Sequence, residues 1–114
     1  MVKSKRHNGV SIVDIDGNIE PAEMVSVNNE LTRLVERHRF KIILHFRGLK
    51  SVDYAGLGIL VENLRRFKEF NGGLKLVGIS SKARRIFHLC GAGEVFETYP
   101  SEELALRSFK PICV

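Results

Sequence analysis

Ser51-Val52-Asp53-Tyr54-Ala55-Gly56-Leu57-Gly58 is the stretch of this sequence that concentrates residues suited to recognition. Asp53 is a natural N-cap, and the helical turn after it leaves backbone N–H groups free at the amino end. Gly56 and Gly58 fall just inside that helix, where each costs up to about 1 kcal/mol relative to Ala. Their missing side chains let another surface approach the backbone. The same bareness suits tight packing within the fold, and the sequence leaves both readings open. The exposed amides at Tyr54–Gly56 could also accept an anion.

Other chemistry finds little footing. Asp14 and Asp16 are neighbouring carboxylates at a turn, an ordinary place for solvated turn formers. Gly56-Leu57-Gly58 lies inside a helix, without the strand–turn–helix context of a dinucleotide site, and there is no Gly-x-x-x-x-Gly-Lys phosphate loop. Cys90 and Cys113 form no Cys-x-x-Cys pair and have no His at ligand spacing. Cys90 falls on the apolar face of an expected helix, where cysteine acts as a small hydrophobe. His7, His38, His45 and His88 are scattered. The expectation is a binding protein with no catalytic residues, no metal and no cofactor.

The elements that must position the Asp53 segment follow from periodicity. Val10–Ile15 is β-branched and alternating, a strand. Asp16-Gly17 reads as a turn and Asn18-Ile19 as a short returning strand. Pro21 opens a helix whose apolar residues Met24, Val27, Leu31, Leu34 and Val35 recur at steps of three and four. Lys41–Phe46 is a strand, and Gly48–Val52 a loop. The next helix buries Leu57, Leu60, Val61, Leu64 and Phe67, and Asn71-Gly72-Gly73 ends it through a left-handed residue. Leu74–Ile79 is a buried strand. Ser80 or Ser81 caps a short helix with Ala83, Ile86, Phe87 and Cys90 inside, stopped by Gly91 and Gly93. Val95–Tyr99 is a last strand, and Pro100-Ser101-Glu102-Glu103 opens a helix through Phe109. The order β-β-α-β-α-β-α-β-α predicts an α/β domain with a mixed, mostly parallel sheet of four to five strands and about four helices. Residues 1–9 read as a basic flexible tail, 10–109 as the domain and 110–114 as a C-terminal tail.

Composition sets the outer limits. The chain has 114 residues, 44% apolar and 27% charged, which fits one ordered domain. No apolar run approaches the roughly 20 residues that cross a bilayer. The segment Met1–His7 lacks the apolar stretch of a secretory signal, so a cytoplasmic protein without membrane insertion is expected. The formal charge is +5; Lys3, Lys5 and Arg6 contribute +3, leaving +2 for the rest. With no Trp and no aromatics interleaved among basic residues, nucleic-acid binding is not expected.

Asp53-Tyr54-Ala55-Gly56-Leu57-Gly58, then Leu64-Arg65-Arg66 and Asn71-Gly72-Gly73-Leu74-Lys75-Leu76-Val77-Gly78-Ile79-Ser80, closely resembles the STAS domain family. The resemblance continues through Arg84-Arg85-Ile86-Phe87, Cys90-Gly91, Glu94–Tyr99 and Ser101–Leu106, and Gly17-Asn18-Ile19-Glu20 looks like the family's lead into its first helix. It covers Val10 to Phe109, and its specificity lies in the order and spacing of the motifs. It implies an anti-sigma factor antagonist-like module. Such modules dock a kinase-type anti-sigma factor with a histidine-kinase-like ATP fold through the helix start, here Asp53, Tyr54, Ala55, Gly56 and Leu57. In the family a Ser or Thr directly after the motif Asp is phosphorylated, and phosphorylation breaks the complex. Here that position is Tyr54, followed by Ala55, and neither carries an aliphatic hydroxyl. A phenol holds its oxygen several ångströms farther out, so the resemblance implies a variant without the usual switch; Ser51 is the nearest aliphatic hydroxyl. The alternative is an accessory or scaffold subunit of a stressosome-type or lipid/anion transport complex. A homodimer stays open.

Overall fold

Asn8-Gly9 makes the first turn of the molecule. Both residues have positive φ, 52° and 80°, the pair of left-handed conformations that a two-residue type I′ hairpin requires. The turn joins β1 (Val2–His7) to β2 (Val10–Asp16), which pair antiparallel from Val2↔Ile15 to His7↔Val10. The expected flexible tail over residues 1–9 is therefore corrected: most of it is an edge strand of the sheet. The first hairpin thus comes from Asn8-Gly9; the turn expected at Asp16-Gly17 and the returning strand expected at Asn18-Ile19 run into residues 17–20, outside the described residues. The computed structural model describes residues 2–16, 21–47, 54–89, 91 and 95–109.

The remaining elements are α1 (Pro21–Glu36), β3 (Lys41–Arg47), α2 (Tyr54–Glu69), β4 (Gly73–Val77), α3 (Ser81–Leu89), β5 (Glu97–Tyr99) and α4 (Glu102–Ser108). The strand order is β1-β2-β3-β4-β5, with β2 to β5 all parallel. Each parallel crossover moves one strand in the same direction. Right-handed crossovers then put all three connecting helices on one face.

The core shows this directly. Val13, Ile15, Ile42, Leu44, Phe46, Leu74 and Leu76 pack with residues of α1, α2 and α3 in one cluster. The residues between them, Ile12, Ile43 and Val77, face the other way and pack with Ala105 of α4. Among the described residues one face of the sheet thus has three helices over it, while a single short helix serves the other. Within α1 and α2 the expected core residues Met24, Val27, Leu31, Leu34, Leu57, Leu60, Leu64 and Phe67 are buried, and Val35 and Val61 are half-buried against them.

Caps define the helix ends. The Ala83 N–H donates to Ser80 Oγ at 3.1 Å and the Leu104 N–H to Ser101 Oγ at 3.3 Å, so these serines start α3 and α4. α2 ends in a Schellman motif: Gly72 N–H donates to Phe67 O and Asn71 N–H to Lys68 O. The left-handed residue there is Asn71 (φ 60°). Gly72 serves close approach instead, since a Cβ on it would lie 1.9 Å from the Phe40 carbonyl oxygen.

Candidate functional site

The segment singled out from the sequence begins α2, at the rim where β2 and β3 end in Asp16 and Arg47. Ser51 and Asp53 lie outside the described residues, as do Cys90 and Cys113. Tyr54 is the first residue of α2, and Ala55 beside it is exposed. Gly56 and Leu57 turn inward; Leu57 is a core residue at 4% exposure. The five residues grouped as one docking segment therefore divide by helical phase, and Leu57 supports the helix from beneath.

Gly58 separates the two readings of the glycines. It is exposed, and no described residue lies within 4 Å of the position its Cβ would occupy. Packing against the described residues does not explain it. The outward stripe of α2 runs Ala55, Gly58, Glu62, Arg65, at steps of three and four. Its amino-terminal half is bare backbone and one methyl, and its carboxy-terminal half is charged. Within α2 itself the first turn holds no acidic residue.

A polar network lies on the α4 face of the sheet just behind this rim. Asp14 and His45 are register partners on β2 and β3. His45 Nδ1 is hydrogen-bonded to Glu102 Oε2 of α4 and lies 3.6 Å from Asp14 Oδ1. Arg47 reaches Asp14 at 3.2 Å and Glu102 at 3.8 Å, and Lys5 of β1 reaches Glu102 at 3.5 Å. Burial alone would push the Glu102 carboxyl up. The hydrogen bond to His45 and the charge of Lys5 outweigh it and hold the group below its usual value.

Asp14, His45 and Glu102 offer three ligand-type atoms within 4.8 Å of one another. Arg47 and Lys5 already neutralise the two carboxylates, so a divalent ion would bring charge that the cluster does not compensate. The cluster is an ionic clamp that fixes α4 to β1, β2 and β3. By sequence Asp14 reads as a solvated turn former and His45 as one of four scattered histidines; the structure places both on strands, in register. The signal available was their shared place: each is a polar residue interrupting an apolar strand, in register on the same face.

No helix among the described residues is long and apolar enough to cross a membrane. The STAS domain profile matches residues 1–105. The anti-sigma F factor antagonist of Paenibacillus polymyxa is 20% identical over 112 residues, 97% of this chain and 96% of that protein. Among solved structures, an anti-sigma factor antagonist from Mycobacterium paratuberculosis superposes with a TM-score of 0.81 at 22% identity, covering 95% of this chain and 92% of that one. The antagonist SpoIIAA in its unphosphorylated form gives 0.79 at 17% identity, with 97% and 100% covered. The Bacillus SpoIIAA in its phosphorylated form gives 0.74 at 17%, with 96% and 100% covered.

Proposed function

Because the chain belongs to the STAS domain family, we propose that it acts as an anti-sigma factor antagonist-like binding protein and not as an enzyme. Its partner is an anti-sigma factor of the kinase type with a histidine-kinase-like ATP fold. It docks through the amino end of α2, the segment Asp53, Tyr54, Ala55, Gly56 and Leu57, with Leu57 as the buried support. The observation that carries this reading is Gly58: an exposed helical glycine with open space above it, one turn from exposed Ala55. A helix normally gains about 1 kcal/mol when such a glycine becomes Ala. A bare backbone at this place therefore serves contact with something outside the chain.

The same reading makes this antagonist one without the usual off-switch. SpoIIAA is known in unphosphorylated and phosphorylated forms. Here Tyr54 and Ala55 occupy the start of α2, and a pocket shaped for a serine hydroxyl does not bring a phenol oxygen to the same point. A phosphoryl group at a packed interface would add about −1.5 to −2 charges and break it; without an acceptor, docking is set by the abundance of the two proteins.

The test is binding of a purified kinase-type anti-sigma factor, measured by calorimetry with wild type and Tyr54→Asp, followed by incubation with ATP and mass spectrometry. The expected result is binding by wild type, weaker binding by the variant, and no added phosphate. Equal binding by the two proteins would remove the docking site. A phosphate on Tyr54 or Ser51 would overturn the loss of the switch.

A further inference from the structure

The foot of the sheet, at the opposite end from the start of α2, holds a second feature. β5 pairs only with Lys75–Val77, so Gly73 and Leu74 form an open step on the outer edge of β4. A cavity of about 280 Å³ lies against that step. Leu64, Val95 and Phe109 give it apolar walls, and Lys41, Lys68 and Lys75 line it as well. An open apolar groove along α2, about 450 Å³, shares Leu64, Lys68 and Val95 with it and so continues it toward solvent.

Lys75 is the unusual member. Its side chain is only 9% exposed. An ammonium has three N–H groups to place. One goes to Ser108 Oγ at 2.6 Å, and the charge lies 4.1 Å from the centre of the Phe109 ring. The carboxylate nearest it, Glu97, stands at 3.7 Å and is itself 62% exposed. That is an ion pair longer than a hydrogen bond, to a group mostly in water. Burial pushes the Lys75 amine below its usual value, and Glu97 offsets this in part. Lys41 and Lys68 make no ion pair with any described residue. The desolvated Lys75 cation thus has one hydroxyl, two aromatic rings (Phe109 and, at 5.6 Å, Tyr99) and one solvent-facing carboxylate as partners, in a cavity with no other described acid.

We propose that this cavity binds a small amphipathic monocarboxylate, its carboxylate on the Lys75 ammonium and its apolar tail along Leu64 and Val95 toward the α2 groove. One buried ammonium matches one negative charge. A phosphate dianion would bring a second charge into a site with no second buried donor cation, at a large desolvation cost. The volume suits a fragment-sized ligand, below the usual range of about 300–1,000 Å³. The site does not depend on the docking role of α2, whose amino end lies at the far rim.

Amide NMR of the full chain, titrated with octanoate, octanamide and inorganic phosphate, tests this. Octanoate is expected to give saturable shifts at Gly73, Lys75, Glu97 and Phe109. Octanamide should bind at least about tenfold more weakly, the worth of one charge-assisted hydrogen bond, and Lys75→Met should lose the octanoate response. The comparison of octanoate with octanamide needs only wild type, so it decides the matter even if the variant folds poorly. Shifts absent from these residues, or equal for acid and amide, would overturn the site. Tighter response to phosphate than to octanoate would overturn the ligand class.

Discussion

His45 on β3 and Glu102 at the first turn of α4 are joined by a hydrogen bond from Nδ1 to Oε2, across fifty-seven positions of sequence. Through it the single helix on the second face of the sheet is tied to a central strand, with Lys5 of β1 and Arg47 of β3 bracing the same carboxylate. Glu102 also lies in the first turn of its helix, where a negative charge is favoured.

The Glu102 carboxyl is held below its ordinary value of 4.5, so between the two values the unfolded chain binds more protons than the folded one. Its stabilising contribution is present above the ordinary value and is lost as pH falls through the folded value. Glu102→Gln should cost about 1 kcal/mol at neutral pH, the scale of a partly exposed charge-assisted bond. It should also flatten the acid limb of the stability curve. Urea unfolding of both proteins at several pH values between neutral and acidic checks this, and parallel curves would count against it.

Lys75 shifts in the same direction for the opposite reason: burial disfavours its charged form. Its amine is held below the ordinary 10.5, so the folded chain sheds its proton first and stability rises with pH across that interval. Lys75→Met removes a desolvated charge while keeping the stem, and Ser108 Oγ still donates to the Ala105 carbonyl at 2.6 Å. Stability at neutral pH should be unchanged or up by about 1 kcal/mol, and the alkaline rise should disappear. Denaturant titration from neutral to alkaline pH is the measurement.

Two glycines with nearly the same φ separate strain from crowding. Gly9 has φ +80° and open space around its missing Cβ; Gly78 has φ +83° and the Phe46 carbonyl oxygen 2.1 Å from that position. Gly9→Ala should cost about 1 kcal/mol, the left-handed penalty alone. Gly78→Ala adds displacement of the β3 backbone and should cost roughly 3 kcal/mol or more. Thermal and urea unfolding of the pair checks the difference; equal losses would mean the crowding relaxes freely.

Local rules made much of this molecule readable. The three-and-four spacing from Met24 to Leu34, and again from Leu57 to Phe67, gave both long helices because one face of each is core. β1 escaped notice because Val-Lys-Ser-Lys-Arg-His is polar on both faces: Ser4 turns to Glu30 of α1 and Lys5 to Glu102 of α4. An edge strand needs little apolar content and is often charged, so it reads as a tail. The Asn8-Gly9 pair was the local sign of its hairpin, and Asp16-Gly17 competed with it. The clamp at His45 was hidden for another reason. It depends on Glu102, a residue that only the return of α4 across the second face brings near. At the start of α2, helical phase was legible in principle, since Leu57 falls in the apolar series and Gly58 does not.

Gly58 offers a way to move stability and binding in opposite directions. As the fifth residue of α2 it is exposed, and a Cβ there meets no described residue within 4 Å. Gly58→Ala should therefore stabilise the chain by about 0.5–1 kcal/mol, since only helix propensity changes. Gly58→Arg keeps that propensity gain and places a long charged side chain over the bare backbone beside Ala55. If a partner closes on this face, the Arg variant should be at least as stable as wild type in urea and yet bind at least about tenfold more weakly, a loss of about 1.4 kcal/mol. A folding defect cannot produce that pair of results, because it lowers stability and binding together. Calorimetry with the anti-sigma factor partner, run beside unfolding curves of the same preparations, measures both. Unchanged affinity in the stabilised Arg variant would place the contact elsewhere on the molecule.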